Sequence, residues 1–415
     1  MKRIVCILLC AVFFSGCMIP GKVDKDTVLG EFSVVTESSL PYEKEESVPD
    51  KHPETEVQEV VSYTEKDFTQ EVKAELMRKQ QDLYYFSTLE ITQQNLYVEI
   101  LFALENYIDE MQVSAMDTAQ IDKVFQCVLL DHPEIFYTDG YSFVKYTLGD
   151  EVKKITFKGT YTCNQEEKEQ REAEIEMAAL QMLKGISAEA DDYEKVKYVY
   201  ETIINNTEYD MMAEENQNII SVFLNQASVC QGYAKAVQYL LDKLGVPCSM
   251  VIGTVENGEG HAWNLVKINN KYYHLDATWG DASYLIRRNE EDEEIQNMPS
   301  INYDYLCVTT EEIMRTHSFS DLVILPLCDS LESNYYVREG AYFREMDFGQ
   351  LEQLIKKYQM ENRESVTLRC ADDAVYRQMT EELLEEQKIF RYLDNGSNSI
   401  MYTDSPMQRS ITFWL

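Results

Sequence analysis

SVCQGYAKAVQYLLDKLGVPCSMVIGTVENGEGHAWNLVKINNKYYHLDATWGD, residues 228–281, changes its periodicity as it proceeds. Tyr233, Ala236, Val237, Leu240, Leu241 and Leu244 recur at three- and four-residue spacing, the stripe of an amphipathic helix. Gly245 with Pro247 just beyond it ends that helix. Two strand-like segments follow, HAWNLVKI and KYYHLDATW, joined at Asn269-Asn270, a dipeptide suited to a tight hairpin turn. Cys230 thus opens a helix, His261 opens one strand and Asp276 lies in the next. Those are the parts of a thiol-based triad.

The hairpin supplies a check of its own. With a two-residue loop at Asn269-Asn270, Ile268 faces Lys271 and Trp263 faces Asp276, which makes His261 the diagonal neighbour of Asp276 on one face. A four-residue loop keeps that parity, and a three-residue loop reverses it. His274 shares the face of Asp276 in the same register and competes with His261 for the role of base.

V-C-Q-G-Y-A at 229–234, H-A-W-N at 261–264 and L-D-A-T-W at 275–279 together resemble the core of the transglutaminase-like superfamily, which includes transglutaminases, thiol peptidases and inactive relatives. The resemblance implies Cys230 as nucleophile, His261 as base and Asp276 as the residue that orients it. It also implies an α+β, papain/transglutaminase-like core in which the cysteine-bearing helix packs on an antiparallel sheet. The chemistry would be attack of a thiolate on a carboxamide or peptide carbonyl, leaving a thioester. The backbone N–H of Cys230 is the expected oxyanion donor; Asn225 and Gln226 lie nearby in sequence without being assigned that role. Trp263, Trp279 and Tyr233 are expected to pack rather than react.

Outside this stretch the chain divides by composition. At 415 residues it exceeds one compact domain. Lys2-Arg3, the apolar run Ile4–Phe14 and Ser15-Gly16-Cys17 resemble a bacterial lipoprotein signal (residues 1–17), which implies a lipid on Cys17 and a location on the outer side of the cell membrane. Residues 18–62, with four prolines and many Glu, Ser and Thr, read as a disordered tether. An N-terminal α+β region is expected over 63–186, the catalytic core over 187–320, with YDYLCV at 303–308 as its last strand, and a small C-terminal α/β sandwich of the plait type over 321–415, with YYVREGAYF as a strand.

The charge of −36 excludes binding nucleic acid or anionic lipid head groups through the protein surface. Seven cysteines lie beyond Cys17, an odd number, and most sit in apolar segments as small buried residues rather than disulfide partners. No C-x-x-C or His-Cys cluster suggests zinc, no metal site or cofactor is expected, and no D-x-D-x-D-G loop suggests calcium. Two functions follow from the residues. One is a surface-anchored thiol enzyme acting on a peptide or protein substrate, a peptidase or amidase in preference to a cross-linking transferase. The other is a non-catalytic lipoprotein that uses the same fold to bind peptides or cell-wall material.

Overall fold

The computed structural model describes residues 63–115, 117–148, 151–281, 299–393 and 399–415, with the backbone of Cys6–Cys10. Three four-stranded sheets follow one another along the chain. The first carries strand β1 (Cys6–Cys10), β2 (Met111–Val113), β3 (Thr138–Leu148) and β4 (Glu151–Tyr161) in the order β1-β3-β4-β2, all antiparallel. Around it lie helices α1 (Gln70–Lys79), α2 (Tyr84–Thr88), α3 (Ile91–Glu105), α4 (Thr118–Asp131) and α5 (Gln165–Met182). Helix α3 is buried without interruption from Leu96 to Leu104, so it forms the middle of this core rather than one of its faces. The β1 segment belongs to the stretch read as a signal; it lies along Tyr141–Lys145, an edge that any apolar strand can extend. Cys17 and the tether lie outside the described residues.

The second sheet holds the candidate site. Asp191 caps α6 (Asp192–Asn206) in a reciprocal box with Glu194, as the spacing of the two implies. Strands β5 (Glu208–Tyr209) and β6 (Ala227–Ser228) form a short parallel pair around α7 (Ile219–Phe223). Helix α8 (Cys230–Lys243) then ends at Gly245, whose φ of 72° is the left-handed conformation that glycine adopts without strain. Strands β7 (Cys248–Val255), β8 (Gly260–Ile268) and β9 (Lys271–Leu275) meander behind it. They are followed by the single turn α9 (Ala277–Gly280), by α10 (Thr310–Ile313) and by β10 (His317–Phe319), giving the order β10-β7-β8-β9.

Helix α8 buries Tyr233, Ala236, Val237, Leu240 and Leu241, its predicted stripe, and packs across β7 and β8. The N-terminal region docks on the same layer. Tyr85 Oη donates to the Met250 carbonyl (2.7 Å), and Gln238 of α8 spans from the Leu130 carbonyl to the Met250 N–H (both 3.1 Å).

Of two expected strands, one is not a strand and the other is a strand only at its last two residues, Tyr342–Phe343. Asn302 accepts from the Asp304 N–H and starts a 3₁₀ turn at Tyr303–Tyr305, and Cys307 takes a φ of 55°, so only Val308 bridges to His274. The last strand of the core is instead β10. In YYVREGAYF, Asn334 accepts from two N–H groups and Gly340 closes in the left-handed conformation, which makes Tyr335–Glu339 a helix (α11).

The third sheet comprises β11 (Tyr342–Phe343), β12 (Ser365–Cys370), β13 (Tyr402–Ser405) and β14 (Ser410–Trp414), with α12 (Phe348–Met360) and α13 (Asp373–Thr380) against β12. The sequence predicts a small α/β sandwich of the plait type over 321–415. The order of this sheet, β11-β12-β14-β13, places the parallel pair β11–β12 side by side, whereas a plait would insert a strand between them.

Candidate active site

The turn between β8 and β9 has φ of 50° at Asn269 and 64° at Asn270, as a two-residue I′ hairpin requires. Its register pairs Ile268 with Lys271 and Asn264 with Leu275. That is the pairing derived from sequence, and it carries Asp276 to the His261 face. His261 Nε2 lies 2.8 Å from Asp276 Oδ2, with both side chains almost fully buried.

Asp276 does more than extend a strand. Its Oδ1 accepts the N–H groups of Thr278 (2.9 Å) and Trp279 (3.1 Å), which makes it the cap of α9 and turns A-T-W into a helical turn. The other oxygen accepts a second imidazole: His317 Nε2 is 3.0 Å from Oδ2. Both oxygens are thus doubly engaged. Burial opposes ionisation of this carboxyl, but the two imidazoles overcome it and hold the group well below the usual carboxylate range.

His317 was not singled out from sequence. It lies 41 residues from Asp276 in the three-residue strand β10, which pairs with β7. The available signal was its rarity: it is one of five histidines and follows Thr316, whose hydroxyl meets its Nδ1 at 2.7 Å. Gly253 allows the approach. A Cβ there would lie 2.0 Å from the Ser318 carbonyl oxygen and 2.8 Å from the Trp263 ring, so any side chain would push β10 and His317 away.

His274, the rival base, lies on the same face but has other partners. Its Nδ1 accepts from Trp263 Nε1 (3.3 Å), its Nε2 is 3.4 Å from Thr310 Oγ1, and its backbone pairs with Val308. Burial and the nearby His317 push its pKa down to about 3, so it is a neutral packing histidine. His132 ends α4 with Nδ1 2.7 Å from Glu134 Oε1.

Cys230 is the first residue of α8 and is 2% exposed. Val229 before it has no acceptor to cap the helix, so the first-turn N–H groups favour an anion there. Gly232 fits the turn to its surroundings: a Cβ would lie 1.9 Å from Ser228 Oγ, which bonds to Ser221 Oγ (2.7 Å) and the Asn216 carbonyl (2.9 Å). Asn225 and Gln226 are exposed, and Asn225 Nδ2 is directed at the Glu214 carbonyl. Trp263 and Trp279 pack around His261, with ring centroids 6.1 and 6.3 Å from the imidazole. Tyr233 is fully buried, in keeping with its expected packing role. None of the seven described cysteines forms a disulfide, and all are buried, as expected of small core residues.

Ligand atoms of His261, Asp276 and His317 lie within 4.8 Å of one another, close enough to share a metal ion. The separations of 2.8 and 3.0 Å are those of hydrogen bonds, which account for the cluster as it stands.

Residues 181–277, which include Cys230, His261 and Asp276, match the family described as the transglutaminase-like superfamily. A relative is the human kyphoscoliosis peptidase, 28% identical over 105 residues; the match spans 21% of this chain and 16% of that protein. Among solved structures, one titled as a TGase shares 18% identity over 34% of this chain and 44% of its own, with a TM-score of 0.25. A candidate cysteine protease from Cytophaga hutchinsonii shares 16% over 33% and 57%, with a TM-score of 0.23. Residues 181–277 are thus similar to the transglutaminase-like superfamily, and the structure around them mixes helices with an antiparallel sheet.

Proposed function

We propose that this chain is a thiol enzyme that cleaves peptide or carboxamide bonds, with Cys230 as nucleophile, His261 as base and Asp276 as the group that orients the imidazole. The observation that carries this is the buried 2.8 Å contact of His261 Nε2 with Asp276 Oδ2, on the strand that faces the helix opened by Cys230. An ionised Asp276 needs a donor, so Nε2 carries a proton and Nδ1 is the nitrogen left for the thiol. Transfer of the Cys230 proton to Nδ1 gives a thiolate–imidazolium pair, which the start of α8 further stabilises.

Sγ then attacks the carbonyl carbon, and the oxyanion is received by the Cys230 N–H. His261 returns its proton to the nitrogen, the C–N bond breaks, and ammonia or an amine leaves a thioester. Water, deprotonated by His261, attacks that thioester; the C–S bond breaks and the acid is released. An amine in place of water would give cross-linking. We favour hydrolysis over transfer; the sequence has no calcium loop of the D-x-D-x-D-G type, which argues against a calcium-dependent transglutaminase. We further propose that Cys17 carries a lipid and that residues 18–62 hold the enzyme away from the outer face of the membrane. Among the described residues no helix is long and apolar enough to cross a membrane.

The test is to trap the intermediate. Intact-mass measurement with a peptide-amide library should show an acyl adduct on Cys230 that decays in water, and none in Cys230→Ala. A library processed equally well by Cys230→Ala would overturn the assignment.

A further inference from the structure

His317 shares one carboxylate oxygen with His261, and nothing in a three-residue thiol mechanism requires it. Its contacts define its state. Asp276 is held ionised, so a bare imidazole nitrogen 3.0 Å from Oδ2 would oppose lone pair to lone pair; Nε2 therefore carries the hydrogen. Burial keeps His317 from gaining a second proton, which leaves Nδ1 as an acceptor for the Thr316 hydroxyl at 2.7 Å. His317 is thus a neutral donor with a fixed tautomer, held by β10 against β7 at the one position where Gly253 lets the strands close in.

We infer that His317 is a positioning residue of this site. By donating to Asp276 Oδ2 it aims the carboxylate between the two rings and takes up part of its charge, so that His261 remains a base able to release its proton again. The inference rests on the roles proposed above for Cys230 and His261. A carboxylate that answered to His261 alone would stabilise the imidazolium more strongly and hold its proton longer. The groups facing the cluster are few. Helix α8, which Cys230 opens, packs on β8 and on the α9 turn, and Tyr305, whose ring centroid is 5.9 Å from that of His317, approaches from the 3₁₀ turn. Tyr200 lies on α6, close enough for Asp276 to raise its pKa, and His274 lies behind Trp263. Burial raises both tyrosines, so neither supplies a charge near neutral pH.

The experiment is a pH titration of the histidine rings by NMR, which five histidines make tractable. In His317→Phe, which fills the space without donating, the His261 midpoint should rise by about one pH unit. His317→Gln, which can donate from its amide nitrogen, should bring it back to within about 0.3 unit of the wild type. Thr316→Val frees the His317 tautomer and should move the His261 midpoint in the same direction, about half as far. In the wild type His317 itself should stay neutral, with its hydrogen on Nε2, across the titration. An unmoved His261 midpoint in folded His317→Phe, or in Thr316→Val if His317→Phe does not fold, would overturn the inference. So would an Nδ1–H tautomer on His317. Alkylation of wild-type Cys230 tests the underlying reading separately: if it leaves the His261 midpoint unchanged, the thiolate–imidazolium pair is wrong whatever His317 does.

Discussion

Two buried clusters of charged groups among the described residues are built on opposite principles. Around Asp276 a single carboxylate is surrounded by N–H donors: two imidazoles on one oxygen and two backbone N–H groups on the other. Around Arg369, only 1% exposed on β12, permanent charges meet: Asp304 Oδ1 at 2.9 Å and Glu312 Oε1 at 3.2 Å, with Gln408 Oε1 at 3.3 Å. Asp304 and Glu312 belong to the segment after the core hairpin, so the Arg369 cluster joins the C-terminal sheet to the core. Arg369 keeps its charge at any ordinary pH, because a guanidinium does not release its proton. The Asp276 cluster has protons that can move. One arrangement is a fastener and the other a device for proton transfer, although both are buried ionic groups of similar size.

Breaking each cluster separates the two roles. Asp276→Asn should reduce kcat by ~10³–10⁴-fold, because an amide cannot hold His261 in the required tautomer. Steady-state rates with any substrate found by intermediate trapping would show it. Arg369→Leu leaves two buried carboxylates uncompensated and should cost about 3–5 kcal/mol in denaturant unfolding, while activity per folded molecule changes little. A large activity loss with unchanged stability would show that the fastener reaches the site.

His274 offers a subtler test, since it is buried beside the cluster without belonging to it. Its folded pKa of about 3 lies below the ordinary imidazole value of about 6.5. The neutral ring therefore stabilises the fold fully above that ordinary value, and the contribution is lost as pH falls toward 3. By pH 4.5 the loss should reach about 2–3 kcal/mol, and His274→Asn, which keeps an acceptor for Trp263, should flatten the stability profile across that window. The smallest effect belongs to the turn. Asn270→Ala strains a left-handed residue and should cost about 1 kcal/mol by thermal unfolding without moving the strands or the site.

The hairpin was legible in sequence because each of its signals is local. Strand alternation, two asparagines and a count of residues are enough to place His261 and Asp276 on one face. His317 was not legible, since a three-residue strand has no periodicity to read and its partner lies 41 residues away. Strand β7 was missed for a related reason: CSMVIGTV opens with four buried residues in a row, which removes the alternation that marks a half-buried strand. Tyr335–Glu339 misled through its β-favouring tyrosines and valine, when the caps at Asn334 and Gly340 decide the local structure. The short turn α9 was hidden because Asp276 was read for its chemistry alone, and its second oxygen does the work of a helix cap.

The most direct test of the central claim is site-resolved alkylation near neutral pH, with adducts at all seven cysteines followed by mass spectrometry. Burial pushes the thiols of Cys127, Cys328 and Cys370 up to about 12 and raises those of Cys248 and Cys307 as well, so these should react slowly. Cys230 should be modified first, and its rate should fall at least about tenfold in His261→Ala as the thiolate loses its imidazolium partner. Comparable labelling of several cysteines, with a Cys230 rate indifferent to His261→Ala, would contradict the account.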